Sequence, residues 1–418
     1  MKNGRVIDPG QGIDEVLDVA CQNGKIEKLG KRLTPQKNTK VIEASGLIVS
    51  PGLIDAHCHL REPGREDEET IATGASAAAA GGFTTILAMP NTQPCVDNGP
   101  LVAYLANKGS KTSISVLPIA AVTKNRAGKE LTEMADLARN GAVAFSDDGN
   151  CIADSRILRR GLEYAKLTGR PLIDHPEDPS LSENGVMNEG TISTLLGLPG
   201  IPTEAEEIIV FRDIALASRT GTHLHLAHLT CEGSISLVRE TKRKGWPITA
   251  EVTFHHLILT EEAVLGYNTN AKVSPPLRTA KDVQALKEGI KEGVVEIIVT
   301  DHAPHTQEEK ETDFENAAFG IIGFQTALPL LLRLSTEIPL KTLLACLTCN
   351  PARIFSLSDR GQLKKGLRAD ITIFNPEAEW ILTKDKVRSR SYNTPFLGEK
   401  MVGKTVYTIC NGRVVFQV

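Results

Sequence analysis

The stretch LIVSPGLIDAHCHL, residues 47–60, decides the fold. Its apolar run has the length of a buried strand and ends in the pair His57 and His59. Residues i and i+2 of a strand point to the same face, so the two imidazoles lie side by side at its carboxyl end. The first strand of a doubly wound sheet would normally lead into a glycine-rich phosphate-binding turn. This strand leads into histidines, which favours a parallel barrel with a site at its carboxyl face.

Downstream of this stretch, short β-rich runs alternate with longer helical runs in eight strand–helix units. The alternation predicts an α/β fold, a (β/α)8 TIM-like barrel over residues 51–359. The predicted helices are Glu68–Ala80, Pro100–Lys108, Lys129–Asn140, Ser155–Thr168, Ala205–Arg219, Cys231–Lys244, Thr260–Val264 and Gly323–Leu334.

Both ends of the chain are predicted to be rich in β structure. Each contains two short β runs joined by an Asn-Gly turn, Asn23-Gly24 in one and Asn411-Gly412 in the other, which is a hairpin signal. Neither segment alone could bury a core. Residues 1–50 and 360–418 are therefore predicted to pair into one small β-sandwich domain.

The composition is that of a globular protein with a sizeable core, with 41% hydrophobic and 23% charged residues and a formal net charge of −4. No block of Lys and Arg stands out, so we expect no nucleic-acid partner. The amino end lacks the apolar core of a signal peptide, and the apolar run Gly320–Leu334 is too short to span a bilayer, so we expect no membrane association. The eight scattered cysteines predict reduced thiols and a cytoplasmic location.

Most of the ten histidines fall at the ends of predicted strands. Carboxylates accompany them: Asp147 and Asp148 follow the fourth strand, and Asp301 follows the eighth. Imidazole and carboxylate together suit zinc and similar metals. One histidine alone would be interpreted as a hydrogen-bonded core residue, but several strand ends that offer such groups to one barrel mouth predict a metal site. Strand alternation leaves open whether Asp147 or Asp148 faces inward.

The segment GLIDAHCHLREPG, residues 52–64, resembles the metal-binding opening of the amidohydrolase superfamily. The following Arg61 narrows the resemblance toward the dihydroorotases, in the bacterial branch that bridges through aspartate. The match continues in order through MPNTQP (89–94), AFSDDG (144–149), DHPED (174–178), HLAH (225–228), VSPPLR (273–278), TDHAPH (300–305), FGIIGFQTALP (319–329) and GQLKKGLRADITIF (361–374).

The resemblance implies a hydrolase of cyclic amides that interconverts N-carbamoyl-L-aspartate and L-dihydroorotate in pyrimidine biosynthesis. It implies one or two zinc ions per subunit, with two favoured, and Asp301 as the catalytic proton carrier. Asp148 would bridge the two ions where many relatives use a carboxylated lysine. The implied metal ligands are His57, His59, Asp148, His175, His228 and Asp301.

The resemblance also implies a site for the small anionic substrate. Arg61 offers a planar, two-pronged donor for its free carboxylate. Ser274 departs from the family pattern, because such relatives usually have asparagine before the double proline. The shorter hydroxyl would lose a direct contact or reach the substrate through water. The implied substrate-binding residues are Arg61, Asn91, Ser274, His305, Phe319 and Gly320.

Two alternatives stay open. Another cyclic amidohydrolase (a hydantoinase, dihydropyrimidinase or allantoinase) is one, although those enzymes usually carry the bridging lysine. An inactive homologue that serves as a structural partner of aspartate carbamoyltransferase is the other. For an active enzyme, the resemblance leaves open a homodimer and a complex with that transferase.

Other polar residues are expected to be structural. The acidic run Arg65–Glu69 is expected to be a solvated loop. His225 lies three residues before His228 and is a candidate hydrogen-bond partner for that ligand. The histidines assigned to structural roles are His223, His225, His255, His256 and His302.

Overall fold

The computed structural model describes residues 1–37 and 39–418. In chain order, its strands are β1 (Gly4–Asp8), β2 (Ile13–Gln22), β3 (Lys25–Gly30), β4 (Ile48–Pro51), β5 (Leu53–Cys58), β6 (Phe83–Ala88), β7 (Ser115–Ala120), β8 (Ala144–Ser146), β9 (Leu172–Asp174), β10 (Met187–Asn188), β11 (Gly200–Ile201), β12 (Leu224–Leu226), β13 (Ile248–Thr253), β14 (Ile297–Val299), β15 (Ile371–Ile381), β16 (Lys400–Cys410) and β17 (Arg413–Gln417). Its α-helices are α1 (Ile71–Gly81), α2 (Gly99–Ser110), α3 (Met134–Arg139), α4 (Ser155–Thr168), α5 (Pro179–Ser182), α6 (Thr191–Leu196), α7 (Glu204–Thr220), α8 (Glu232–Arg243), α9 (Phe254–Ile258), α10 (Ala280–Lys291), α11 (Gln307–Lys310), α12 (Ala327–Leu334), α13 (Leu340–Ala345) and α14 (Cys349–Ile354).

Eight parallel strands form a barrel in the order β5-β6-β7-β8-β9-β12-β13-β14. The barrel closes between β14 and β5, where Cys58 and His302 form a parallel bridge. The backbone N–H of His59 donates to the carbonyl oxygen of His302 at 2.8 Å across the same seam. The predicted (β/α)8 barrel is confirmed.

Burial on both faces explains the apolar composition of the barrel strands. Every residue of β5, β6 and β13 is buried, because one face fills the barrel and the other packs against the helices. Helix α4 shows the complementary pattern, with Leu158, Leu162 and Ala165 buried. Asp154 caps its first turn, and Gly169, with φ 68°, ends it. Within residues 1–37 and 39–418, no helix combines the length and apolar character needed to cross a bilayer.

The two terminal segments form one seven-stranded sheet in the order β17-β16-β15-β4-β1-β2-β3. Strand β4 pairs in parallel with β1 and antiparallel with β15, so both segments share one hydrogen-bonded ladder. The two Asn-Gly turns have the positive φ angles of tight hairpins, 52° at Asn23 and 48° at Asn411. A Cβ on Gly24 would lie 2.7 Å from Asn411 Oδ1, so the two turns are in contact. The exact domain limits stay a prediction.

The seventh strand–helix unit corrects the sequence analysis. The helix predicted over Thr260–Val264 is wrong, since Glu261–Val264 is a single 3-10 turn and α10 connects β13 to β14. Thr279 starts α10 with a capping box, and the buried residues of this helix recur with helical spacing. The excursion between β13 and α10 carries Ser274, and it interrupts the alternation on which the prediction relied.

The loop after β5 is a second correction. Helix α1 begins at Ile71 with Thr70 as its cap, not at Glu68. The run Arg65–Glu69 was expected to be solvated, but Glu68 and Glu69 are only 2% and 0% exposed. Their carboxylates have partners inside the protein, so they can be buried. Glu69 accepts a hydrogen bond from His302 at 3.2 Å, and Glu68 pairs with two arginines.

Candidate metal centre and substrate site

Imidazole and carboxylate side chains converge at the carboxyl ends of five barrel strands. They come from the end of β5 and from the residues directly after β8, β9, β12 and β14. Each is at most 6% exposed, although all are polar. The converging residues are His57, His59, Asp148, His175, His228 and Asp301.

The first half of the cluster contains the H-x-H pair of β5. His59 Nε2 lies 3.0 Å and His57 Nε2 lies 3.6 Å from the same oxygen of Asp301, Oδ1. Asp148 Oδ2 lies 3.3 Å from His57 Nε2 and 3.6 Å from His59 Nε2. Two carboxylates therefore face the two imidazoles from either side.

The second half of the cluster meets the other oxygen of Asp148. Oδ1 lies 3.4 Å from His228 Nε2 and 3.6 Å from His175 Nδ1, and these two nitrogens are 3.0 Å apart. Asp148 thus stands between two pairs of histidines, with one oxygen toward each pair. Asp147 turns away, since its Oδ1 accepts from the backbone N–H groups of Val122 and Thr123 at 2.9 Å. Of the two residues that the sequence left open, the structure brings Asp148 into the cluster.

The chemistry of the cluster fits a metal ion. The ligand atoms of His57, His59 and Asp301 lie within 4.8 Å of one another, as do those of His57, Asp148 and His228. His57 Nε2 is buried among these carboxylates without a hydrogen-bond partner. Buried polar atoms are almost always hydrogen-bonded, so an unpartnered imidazole nitrogen in this setting fits a ligand position. Nitrogen and oxygen donors of this kind suit borderline divalent metals.

The electrostatics of the cluster favour ionised carboxylates. Burial alone would raise the pKa of Asp148, but His57, His175 and His228 outweigh burial and hold it well below its usual range. Burial likewise opposes ionisation of Asp301, and His57 and His59 lower its pKa. Both carboxylates are therefore in the form that binds a cation at neutral pH.

The backbone at the site is conformationally unusual. Arg61, His228 and Asp301 have φ angles of 59°, 28° and 45°. Side-chain-bearing residues rarely adopt such left-handed conformations, which cost about 1–3 kcal/mol each unless the surrounding structure fixes them. Three such residues in one barrel mouth indicate that the site geometry is imposed by the fold.

Glu251 on β13 is a site residue that the sequence analysis missed. It is fully buried, and its Oε1 lies 2.6 Å from His57 Nδ1 while its Oε2 lies 3.0 Å from His225 Nε2. Burial opposes its ionisation, but His57 and His225 lower its pKa to about 2. The carboxylate therefore holds His57 with Nε2 toward the cluster. The available signal was a single acidic residue inside the otherwise uncharged strand ITAEVT.

Histidine 225 differs from its expected role. The sequence makes it a candidate partner of His228, but its two ring nitrogens lie 2.8 Å from Thr249 Oγ1 and 3.0 Å from Glu251. It therefore supports Glu251, which in turn holds His57.

The other histidines assigned to structural roles are buried or half-buried. His223 and His256 contact Thr249 Oγ1 at 2.9 Å and Thr253 Oγ1 at 2.8 Å. Burial lowers the pKa of His255 to about 4 and also lowers that of His302. Neutral imidazoles of this kind suit packed surroundings.

Three of the residues assigned to substrate binding lie around the cluster. Asn91 Oδ1 is 2.8 Å from His59 Nδ1. Arg61 Nη2 is 3.2 Å from His305 Nε2, and Arg61 Nε donates to the carbonyl of Pro304 at 3.1 Å. The structure thus brings Arg61 and His305 together from the loops after β5 and β14.

The remaining assigned residues form the wall beside them. The carbonyl oxygen of Phe319 lies 2.8 Å from His305 Nε2. Gly320 has φ 149°, and a Cβ there would lie 2.7 Å from the carbonyl oxygen of Ala303, so the backbone approach requires glycine. Ser274 and Phe319 line a cavity of about 490 Å³.

Known proteins resemble this chain over its whole length. Residues 46–234 match the family described as dihydro-orotase-like, and residues 214–416 match the amidohydrolase family. The dihydroorotase of Geobacter metallireducens is 48% identical over 420 residues, covering 100% of this chain and 99% of that protein. The dihydroorotase of Syntrophus aciditrophicus is 46% identical, again over 100% of this chain and 99% of the relative.

Solved structures agree on the fold. An L-hydantoinase (dihydropyrimidinase) from Arthrobacter aurescens superimposes with a TM-score of 0.89 at 22% identity, covering 100% of this chain and 95% of that one. A dihydropyrimidinase from Brevibacillus agri gives 0.86 at 23% identity, covering 100% and 94%.

A (β/α)8 barrel with this histidine–carboxylate cluster at its mouth defines a metal-dependent hydrolase of the amidohydrolase class, acting on cyclic amides. Within that class, the chain belongs to the dihydroorotase family. The resemblance found in the sequence motifs is confirmed. The roles of the individual site residues stay predictions.

Proposed function

We propose that this protein catalyses the reversible cyclisation of N-carbamoyl-L-aspartate to L-dihydroorotate in pyrimidine biosynthesis. The observation that carries this proposal is the Arg61–His305 pair beside the buried histidine–carboxylate cluster. A cyclic amide with a free carboxylate needs both features: the cluster acts on the amide bond, and the Arg61–His305 pair binds the carboxylate. Full-length identity of 48% to a dihydroorotase supports the same substrate.

We propose that each subunit binds two zinc ions. His57, His59 and Asp301 would hold one ion, and His175 and His228 the other, with Asp148 between them. The two-sided position of Asp148 supports this count, because each of its oxygens faces a different histidine pair. When bound, zinc supplies Lewis acidity, which polarises a carbonyl oxygen and increases the acidity of water.

Asp301 is the catalytic residue of the proposal. In the hydrolytic direction, the oxygen of water bonds to the ring carbonyl carbon, and the bond from that carbon to the ring nitrogen breaks. Asp301 takes the proton that water loses and gives it to the departing nitrogen. His57 and His59 lower its pKa, so Asp301 is ionised at neutral pH and carries no proton of its own before the reaction. Ring closure runs through the same residues in reverse.

The substrate carboxylate is assigned to Arg61, Asn91 and His305. The guanidinium presents two parallel N–H groups, which match the two oxygens of a carboxylate. The backbone of Phe319 and Gly320 would contact the ring beside them. Ser274, on the wall of the adjacent cavity, takes the place of the usual asparagine and would contact the substrate directly or through water.

The proposal is tested by comparing turnover of four candidate cyclic amides. Purified protein supplied with zinc is assayed for opening of dihydroorotate, dihydrouracil, hydantoin and allantoin, and for ring closure of carbamoyl-aspartate. We expect turnover of dihydroorotate and carbamoyl-aspartate, and its loss on chelation of the metal. Opening of hydantoin or allantoin without dihydroorotate would assign the chain to another cyclic amidohydrolase. Absence of all five activities in zinc-loaded protein would favour the inactive structural homologue.

The proposal also covers the protein's binding partners and its location in the cell. We propose a homodimer and a complex with aspartate carbamoyltransferase, as in the resemblance. The exposed apolar side chains of Ile208 and Phe211, 50% and 64% exposed on α7, would provide an apolar contact surface. Co-purification with the transferase and light scattering test these assemblies. A cytoplasmic location is supported by the eight free cysteines, since exported proteins usually pair them.

A further inference from the structure

Glu68 is a buried carboxylate beside the substrate site to which the proposed reaction gives no role. It follows β5 by one loop, and its side chain is 3% exposed. Its Oε2 lies 2.8 Å from Arg61 Nε, and its Oε1 lies 2.8 Å from Arg65 Nη1. Each carboxylate oxygen is thus engaged by a different arginine.

The ion pairs of Glu68 extend across two loops of the barrel mouth. Arg65 Nη2 lies 2.8 Å from Oε1 of Glu309, a residue of the short helix α11 that follows β14. His305 Nδ1 lies 3.4 Å from Glu309 and 3.7 Å from Glu68. The ligand atoms of Glu68, His305 and Glu309 lie close enough to suggest a cation site. Both carboxylates are already ion-paired with Arg61 or Arg65, so neither is free to bind a further cation.

The position of Glu68 decides which edge of Arg61 is free. A guanidinium has a side edge that includes Nε and a terminal edge formed by its two Nη groups. Glu68 and the Pro304 carbonyl both contact Nε. Nη2 lies 3.2 Å from His305 Nε2, so the terminal edge points toward that histidine. A carboxylate ligand is best bound by this two-pronged edge.

Burial makes the ion pair necessary for that orientation. Burial lowers the pKa of Arg61, and Glu68 acts against this effect. A buried guanidinium without a counter-charge is costly and turns toward solvent or another carboxylate. Glu309 is available for this, because it already contacts the neighbouring Arg65.

We propose that Glu68 is a positioning residue of the substrate site: it fixes Arg61 through Nε, so that the terminal edge of Arg61, together with His305, binds the substrate carboxylate. This inference rests on the proposed function, in which Arg61 binds that carboxylate. Glu68 itself touches neither the substrate nor the reacting atoms. Its effect is therefore on substrate binding rather than on the chemical step.

Steady-state kinetics of dihydroorotate hydrolysis test the proposal. Glu68→Gln should raise KM roughly tenfold to hundredfold, the range for loss of groups that orient a functional side chain, with kcat nearly unchanged. Glu68→Asp keeps the charge and should recover part of the loss. Glu62→Gln is the matched control, because Glu62 is another buried glutamate of the same loop and pairs with Lys108 away from Arg61. It should leave KM unchanged.

A double-mutant cycle separates positioning from a general structural role. In the Arg61→Ala background, Glu68→Gln should have no further effect on KM, because the oriented group is gone. An equal KM effect in both backgrounds, or an unchanged KM in Glu68→Gln, would overturn the inference and leave the proposed function standing. A zinc-loaded wild-type protein that fails to hydrolyse dihydroorotate would overturn both. Thermal unfolding of each variant shows whether a KM change comes with loss of the fold.

Discussion

Replacement of Glu251 by glutamine probes how the protein holds its metal centre. The carboxylate contacts His57 Nδ1 at 2.6 Å and His225 Nε2 at 3.0 Å, and it has no access to solvent. Glutamine has nearly the same shape but offers one accepting oxygen and one donating amide group. Only one of the two histidines can then keep its N–H bond, and the other must change tautomer or lose its partner.

The structure gives the size of the expected effect. The substitution removes about one charge-assisted hydrogen bond, worth about 1.5–3 kcal/mol. A loss of this size agrees with the 10–100-fold weaker metal binding expected when the partner of a ligating histidine is removed, or about 1.4–2.7 kcal/mol. We therefore expect Glu251→Gln to fold and to bind zinc 10–100-fold more weakly than the wild type.

Titration of metal-free protein with zinc against a chromophoric chelator measures this affinity directly. The rise in melting temperature on adding zinc should also be smaller for the variant, because stabilisation by a ligand follows its affinity. Asp18→Asn is the control, since Asp18 is a buried carboxylate paired with Lys2 in the terminal sheet. Wild-type zinc affinity in Glu251→Gln would refute the reasoning.

Three further predictions concern turnover, pH dependence and the terminal sheet. Arg61→Ala should mainly raise KM for dihydroorotate, whereas Asp301→Asn should lower kcat by about 10²–10⁴-fold, and full activity in both variants would contradict their assigned roles. Burial lowers the pKa of Lys310 to about 7, so between about pH 7 and pH 10 the unfolded chain binds the proton that the folded protein lacks. The free energy of unfolding, measured with urea, should therefore rise with pH more steeply in the wild type than in Lys310→Met, by at most about 1.4 kcal/mol per pH unit, and equal slopes would exclude this. Gly24→Ala should lower the free energy of unfolding more than Gly46→Ala. Both glycines have φ 76°, a left-handed conformation that costs alanine about 1–2 kcal/mol, but only at Gly24 would the new Cβ also clash with a neighbouring turn.

The sequence predicts the barrel and the cluster because both depend on short-range patterns. An apolar run that ends in His57 and His59 predicts a strand whose two histidines point to the same side. Parallel strands of a barrel place their carboxyl ends at one face, so the ligands at those ends come together. The two Asn-Gly turns predict hairpins for the same local reason. Resemblance to a family then selected Asp148. The structure gives the physical reason, since Asp147 is occupied by the backbone of Val122 and Thr123.

Contacts between distant residues explain what the sequence did not predict. Nothing near Glu251 in the chain indicates that it would meet His57, because their hydrogen bond joins residues 194 positions apart. Glu68 lies in an acidic run that has the pattern of a solvated loop, and only the arginines around it make its burial possible. The sequence analysis did not predict helix α10, because the long segment between β13 and this helix interrupts the alternation of strands and helices.

The pairing of the two terminal segments has a consequence for the order of assembly. Most neighbouring barrel strands also follow one another along the chain, so each pairing closes only a short loop. The terminal sheet instead pairs β4 with β15, where Ser50 lies opposite Thr372, 322 positions away in the chain. High contact order makes such pairing slow, so we expect the sheet to form after the barrel, and pulsed hydrogen exchange that protected the sheet first would contradict this. Interactions formed so late slow unfolding more than they accelerate folding, so the terminal sheet should govern how long the completed enzyme persists.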